Sequence, residues 1–178
     1  MKNWIYNYRT FISRNNSGNE ILVLCFNGSK IQKFNTSTEE KLSECKIESA
    51  AMRHVAVNKN ETTAYVSDMY HRCVYELNLR TFKITSTWKV FNNPNTIELL
   101  DDKYLFVSSR GPNNKTDYTN RSPVNGKVSV IDIASGKNVC QIEGGNQPTG
   151  LALSPDGTTL CFSNFQDANV EMYRILFE

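Results

Sequence analysis

Thr149-Gly150-Leu151-Ala152-Leu153-Ser154-Pro155-Asp156-Gly157-Thr158-Thr159-Leu160-Cys161-Phe162-Ser163-Asn164 decides how the rest of the chain is read. Leu151-Ala152-Leu153 is a brief apolar run of the kind a buried strand needs. Ser154-Pro155-Asp156-Gly157 follows, with Pro and Gly where a tight turn wants them. Thr159 to Ser163 then reads as a returning strand, and Val170-Glu171-Met172-Tyr173 as a third. The same run recurs without a gap 96 residues earlier, as Arg53-His54-Val55-Ala56-Val57-Asn58-Lys59-Asn60-Glu61-Thr62-Thr63-Ala64-Tyr65-Val66-Ser67-Asp68, and Val74 then falls on Val170.

Self-similarity on this scale marks repeat architectures. A further copy begins at Asn95 and reaches Leu105-Phe106-Val107-Ser108-Ser109 after losing one residue in its turn. Another lies 43 residues before the Arg53 copy: Phe11-Ile12 matches His54-Val55, Leu22-Val23-Leu24 matches Tyr65-Val66-Ser67, and Phe34-Asn35 matches Leu77-Asn78. A single domain of four units is expected over 1–178, divided at about 8–50, 51–92, 93–146 and 147–178. The third is long because of an insertion from about Gly111 to Gly126. In it Val128-Ser129-Val130-Ile131-Asp132 alternates with period two, Ala134 to Lys137 is a turn, and Val139-Cys140-Gln141-Ile142 is a fourth strand. No segment sustains a helical period; Glu39 to Ile47 comes nearest and is read as turn plus strand. The class is all-β.

Composition narrows the function. The chain has 178 residues, 39% hydrophobic and 21% charged, enough for a real core. Its 20 Lys+Arg against 18 Asp+Glu form no basic cluster, so nucleic acid is not an expected partner. The longest apolar run, Ile21 to Phe26, is far short of the roughly 20 residues that span a bilayer. The first eight residues lack the apolar core of a secretory signal. Cys25, Cys45, Cys73, Cys140 and Cys161 show no Cys-x-x-Cys pair and no zinc spacing with His54 or His71. They are expected to be reduced thiols, mostly buried. The six Asn-x-Ser/Thr sequons are read as chance in an Asn-, Ser- and Thr-rich chain.

Four strands per unit of 40 to 45 residues is the pattern of a β-propeller blade. Tyr65-Val66-Ser67-Asp68 and Cys161-Phe162-Ser163-Asn164 resemble the signature of the YVTN-type propeller repeats of bacteria, and Pro148 to Gly157 resembles that family's inner strand and turn. Val128 to Asp132, followed by Ser135-Gly136-Lys137, is similar to its third strand and the turn after it. In the first unit Leu24-Cys25 replaces the Ser-Asp pair, and a WD-repeat propeller fits less well because no Trp-Asp dipeptide occurs. The resemblance implies a propeller of about seven blades and leans towards the bacterial cell envelope, against the missing signal and the unpaired cysteines. The expected fold is four four-stranded antiparallel blades. They would form a closed four-bladed ring, half of a dimeric eight-bladed ring, or part of a larger propeller. Residues 1–8 alternate apolar and polar and are a candidate closing strand for the last unit.

In a blade, the loop between its second and third strands opens on the same face as the link to the next blade. Arg53, His54, Asp68, His71, Arg110, Tyr118, Gln147, Asn164 and Asp167 are the binding candidates on that face, together with the polar Gly111–Gly126 insertion. Each has a plainer reading: His54 as a strand residue satisfied by a neighbouring carbonyl, Asp68 and Asn164 as caps of a strand end, the insertion as a tolerated loop. No catalytic residue, metal site or cofactor is expected. The leading expectation is a binding or scaffold module for a protein or small-molecule partner. The alternative, implied by the resemblance, is a lactonase-like hydrolase drawing on His54, Asp68, Glu98, Arg110 and Asn164.

Overall fold

The computed structural model describes residues 10–15 and 17–176. Among these residues fifteen strands form four antiparallel sheets, each laid down in chain order. Sheet 1 holds β1 (Thr10–Arg14), β2 (Glu20–Cys25), β3 (Lys30–Asn35) and β4 (Lys41–Lys46). Sheet 2 holds β5 (Met52–Val57), β6 (Thr63–Asp68), β7 (Cys73–Asn78) and β8 (Lys83–Lys89). Sheet 3 holds β9 (Pro94–Leu100), β10 (Tyr104–Ser109), β11 (Lys127–Asp132) and β12 (Lys137–Glu143). Sheet 4 holds β13 (Pro148–Leu153), β14 (Thr159–Asn164) and β15 (Asn169–Arg174). The expectation of four strands in every sheet is therefore corrected for the last, which has three among the described residues. The candidate closing strand at 1–8 lies outside them.

Short-range chemistry makes the hairpins. Asn35, Asn78 and Asp132 end the third strands of their sheets. Their side-chain oxygens accept amide hydrogen bonds from Thr38 (2.9 Å), Thr81 (2.8 Å) and Ser135 (2.8 Å). The fifth residue of each turn is left-handed: Glu39 at φ 60, Phe82 at φ 54 and Gly136 at φ 66. Only the last is the residue that conformation favours.

The sheets pack face to face in sequence, and a separate core fills each joint. Leu22, Leu24 and Ile31 of sheet 1 meet Val55, Val66 and Leu77 of sheet 2. Tyr65 and Val74 on the other face of sheet 2 meet Ile97, Leu105, Val107 and Ile131 of sheet 3. Phe106, Val128 and Val130 on the far face of sheet 3 meet Leu151, Leu160 and Phe162 of sheet 4. Residues i and i+1 of a strand point to opposite faces, so one strand such as β6 serves two cores. Among the described residues no core cluster joins sheet 4 back to sheet 1.

A serine at one register position of the second strand stitches successive sheets. Ser67 Oγ accepts from the amide of His54 at 3.0 Å within its own sheet and donates to the carbonyl of Asn95 in the next sheet at 2.7 Å. Ser108 Oγ accepts from the amide of Thr96 at 3.1 Å and donates to the carbonyl of Thr149 at 3.0 Å. Ser163 Oγ accepts from the amide of Gly150 at 3.1 Å in the same way within sheet 4. Ser67→Ala and Ser108→Ala each leave buried backbone groups unpaired and should each cost about 1–3 kcal/mol of unfolding free energy in urea. Ser163→Ala should stay within about 0.5 kcal/mol of the parent chain.

Candidate functional site

The second-to-third-strand loops and the links between sheets gather at one end of the molecule. Backbone bonds tie each loop to the link preceding its own sheet: Met69 N to Ala51 O, Arg110 N to Asn93 O and Phe165 N to Gln147 O, all at 3.0 Å. Eight of the nine candidate residues fall into three clusters and not one site, and Asn164 is held separately within sheet 4.

The first cluster is at the joint of sheets 2 and 3. Arg53 Nε donates to Asn95 Oδ1 at 2.9 Å, and His54 Nδ1 accepts from the amide of Ile97 at 3.4 Å. The histidine is thus satisfied by an amide, not by the carbonyl expected of it. Burial lowers its pKa, and the charge of Arg53 reinforces the shift.

The second cluster is built on Asp68. One carboxylate oxygen, Oδ1, accepts the amides of Ala51 (2.8 Å) and Tyr70 (2.9 Å), closing the turn after β6. The other, Oδ2, faces His71 Nδ1 at 2.6 Å and accepts the Tyr75 hydroxyl at 2.9 Å. Tyr75 holds its proton far above the ordinary phenol range, through burial first and then its bonds to Cys73 and Asp68. The Tyr70 ring stands edge-on to His71 with centroids 5.1 Å apart. Tyr75 escapes a sequence reading because it sits in the middle of a β-strand pattern, where an aromatic residue is unremarkable.

The third cluster fixes the Gly111–Gly126 insertion at the joint of sheets 3 and 4. Asn146, only 2% exposed, accepts from the amide of Ser122 at 2.9 Å and donates to its carbonyl at 3.0 Å. Gln147 donates to the carbonyls of Tyr118 (3.2 Å) and Asn120 (2.8 Å), and its own carbonyl oxygen accepts from Arg110. Asp167 accepts the Asn146 amide at 2.6 Å and pairs with Arg121 at 2.5 Å, two contacts that hold its carboxyl below the usual carboxylate range. The insertion is therefore a built loop, closed at its exit by Gly126, where a Cβ would meet Pro148 and the Ser109 carbonyl. Tyr118 and Phe165 remain exposed on it and beside it, with Arg110 over the Phe165 ring at 5.9 Å. Arg121, Ser122 and Asn146 emerge only from the structure, because nothing local in the sequence pairs residues so far apart.

Asn164, which is buried, donates to Glu171 (2.6 Å) and Asn169 (2.9 Å) within sheet 4. Glu98 lies on the inner strand β9, where burial raises its pKa. No group of three or more His, Cys, Asp or Glu able to hold a metal ion occurs among the described residues. Among the described residues no helix is long and apolar enough to cross a membrane. All five thiols are free, but only Cys25 and Cys73 are buried, which corrects the expectation that most are. Cys140 is exposed on the outer strand β12, and Cys161 is half-buried on β14.

No family model matches the chain. Antigen Lp49 of Leptospira interrogans is 43% identical over 124 residues, a match that covers 68% of this chain and 27% of the antigen. The chain thus spans about a quarter of the length of that relative. Among solved structures, a putative 6-phosphogluconolactonase from Bacteroides uniformis aligns with a TM-score of 0.69 at 19% identity, over 92% of this chain and 49% of its own. The hydrazine synthase of Kuenenia stuttgartiensis aligns with a TM-score of 0.56 at 18% identity, over 85% of this chain and 54% of its own. At these identities the structural likeness speaks for the fold alone.

Two outcomes follow from the geometry. Asn146→Ala should release the insertion and speed tryptic cleavage at Lys115 and Arg121 by on the order of tenfold, with the melting temperature little changed. His54 ionises in the folded chain below its ordinary value of 6.5, so the unfolded chain takes up a proton first. Stability should therefore fall as pH drops from about 6.5 towards the folded pKa and level off below it. His54→Gln should remove that step from urea titrations at stepped pH. Asp167 acts in a lower window: its contribution is present at neutral pH and lost only as pH falls through its depressed folded pKa.

Proposed function

We propose that the four sheets are consecutive blades of a YVTN-type β-propeller, and that the loop-bearing end is a binding surface for a protein or small-molecule partner. The observation that carries this reading is the anchoring of the Gly111–Gly126 loop by Asn146 and Gln147. A polar loop held in one conformation presents Tyr118, Phe165 and Arg110 with little ordering cost on binding. The remaining candidates on this face, Arg53, His54, His71 and Asp167, frame the same surface. The carboxylate of Asp68 is taken up by three backbone amides, the His71 ring and Tyr75, which favours a structural role for it.

A lactonase-like hydrolase is the second reading, and the comparisons lean towards it, since the two solved structures named above bear the names of enzymes. One feature of the site supports it. A buried carboxylate facing His71 Nδ1 is the arrangement that orients an imidazole for general-base work, and the His71 side chain is 32% exposed.

One pair of assays separates the two. Hydrolysis of a panel of sugar lactones above the buffer rate, reduced at least about a hundredfold in His71→Asn, would establish the hydrolase. The binding module predicts no hydrolysis, with or without chelator. It predicts saturable hits from a fragment library in ligand-observed NMR, lost in Tyr118→Ala and Phe165→Ala chains that melt at the parent temperature.

A further inference from the structure

Four large apolar side chains stand out into water at the loop end of the molecule. Tyr70 is 66% exposed, Phe165 58%, Val124 51% and Tyr118 48%. They come from three loops, 69–72, 110–126 and 165–168, which follow the second strands of sheets 2, 3 and 4. Elsewhere among the described residues, the exposed large apolar side chains are Leu42 and Val139 on outer strands, and Val170, Met172 and Leu176 on or just after β15. Single exposed apolar residues need no explanation, but a set concentrated at one end does.

Each of the four hangs from an anchored backbone. Tyr70 N donates to Asp68 Oδ1 at 2.9 Å, Phe165 N to Gln147 O at 3.0 Å and Val124 N to Ser122 Oγ at 3.3 Å. The Tyr118 carbonyl accepts from Gln147 at 3.2 Å. Burying these side chains against a partner therefore orders little more than the side chains themselves.

Charge is divided between the two ends. The loops and links at this end carry Arg72, Arg110, Lys115 and Arg121 against Glu48, Asp117 and Asp167, and Arg121 is paired with Asp167. Lys89 adds a further positive charge here, its Nζ donating to the His71 carbonyl at 3.2 Å. The hairpin turns at the opposite end carry six acidic residues, Glu39, Glu40, Glu61, Asp101, Asp102 and Asp156, against Lys59, Arg80 and Lys103. A negatively charged surface thus attracts the loop end and repels the other.

We infer that the loop end seats on an anionic lipid surface, with Tyr70, Tyr118, Val124 and Phe165 entering the headgroup layer beside Arg72, Lys89 and Lys115. The inference rests on the binding reading above and names its partner. The spread of the apolar residues favours lipid over protein. A protein hot spot gathers its anchors in one desolvated pocket. Here they stand on loops of three sheets, and a headgroup layer accepts each aromatic ring or aliphatic side chain where it enters, with cations alongside.

Sedimentation of the 178-residue chain with vesicles tests this. Vesicles of phosphatidylcholine with about 30% phosphatidylglycerol should bind at least about tenfold more tightly than phosphatidylcholine alone. Raising salt from about 0.1 M to about 0.5 M should weaken that binding on the order of tenfold. Tyr118→Ser with Phe165→Ser should cost on the order of tenfold. Arg72→Glu with Lys115→Glu, a second and purely electrostatic pair, should cost roughly twentyfold or more. No binding to either vesicle, or equal binding to both, overturns the inference. If polyglutamate then binds the parent chain, the face belongs to an acidic protein. Binding that survives both loop pairs and is lost in Val170→Ser with Met172→Ser overturns it too, and assigns the adhesion to sheet 4. The fragment screen reads the same loops in free solution. Failure on vesicles with fragment hits retained therefore strikes the lipid partner alone, and loss of both strikes the binding reading.

Discussion

A buried hydroxyl with one acceptor role inside its sheet and one donor role across the joint sets how these sheets can stack. Ser67 and Ser108 are each held between an amide at 3.0–3.1 Å and a carbonyl at 2.7–3.0 Å. Both are fully buried, so a joint that slid or opened would strand a polar group without water to replace its partner. The apolar cores supply most of the attraction between sheets, but attraction between flat faces has no register. The serine supplies it by fixing the inner strand of one sheet against the inner strand of the next. The joint of sheets 1 and 2 shows the other solution. Leu24 takes the serine position, and fully buried Met52 and Leu77 fill the joint with it.

One residue beyond the serine the repeat diverges, and the divergence locates the polar chemistry. Asp68 accepts three backbone amides and meets two side chains. Asn164, in the same register, reaches Glu171 and Asn169. Cys25 meets Gln32. A single backbone position at a strand end thus tolerates a carboxylate, an amide or a thiol, provided each finds local partners. That tolerance is why the position reads as structural; Asp68 gains His71 as its ionisable neighbour and Asn164 gains Glu171.

The strands were legible because their determinants are local. Alternation at Val128 to Asp132 corresponds to β11, and the turn read at Ala134 to Lys137 lies between β11 and β12. The stretch from Glu39 to Ile47, the one place where a helix competed, holds β4, since Leu42 and Ser43 sit on a pleated edge strand and not on a helical stripe. The loop end of the molecule was legible as a region. Its internal partition into three clusters was not, because Arg121 with Asp167, and Ser122 with Asn146, pair across distances that no local pattern encodes.

By itself the sequence determined that the chain folds as short antiparallel strands in repeated groups, with turns closed by Asn35, Asn78 and Asp132. Period-two alternation and turn chemistry act over a few residues, so each stretch carries its own instructions. Only the tertiary structure decided which faces are covered. Val74 and Val170 occupy the same register position, each paired with a serine of the second strand, yet one is sealed and the other lies open. Burial is a property of what packs on a residue from elsewhere in space, and no local signal contains it.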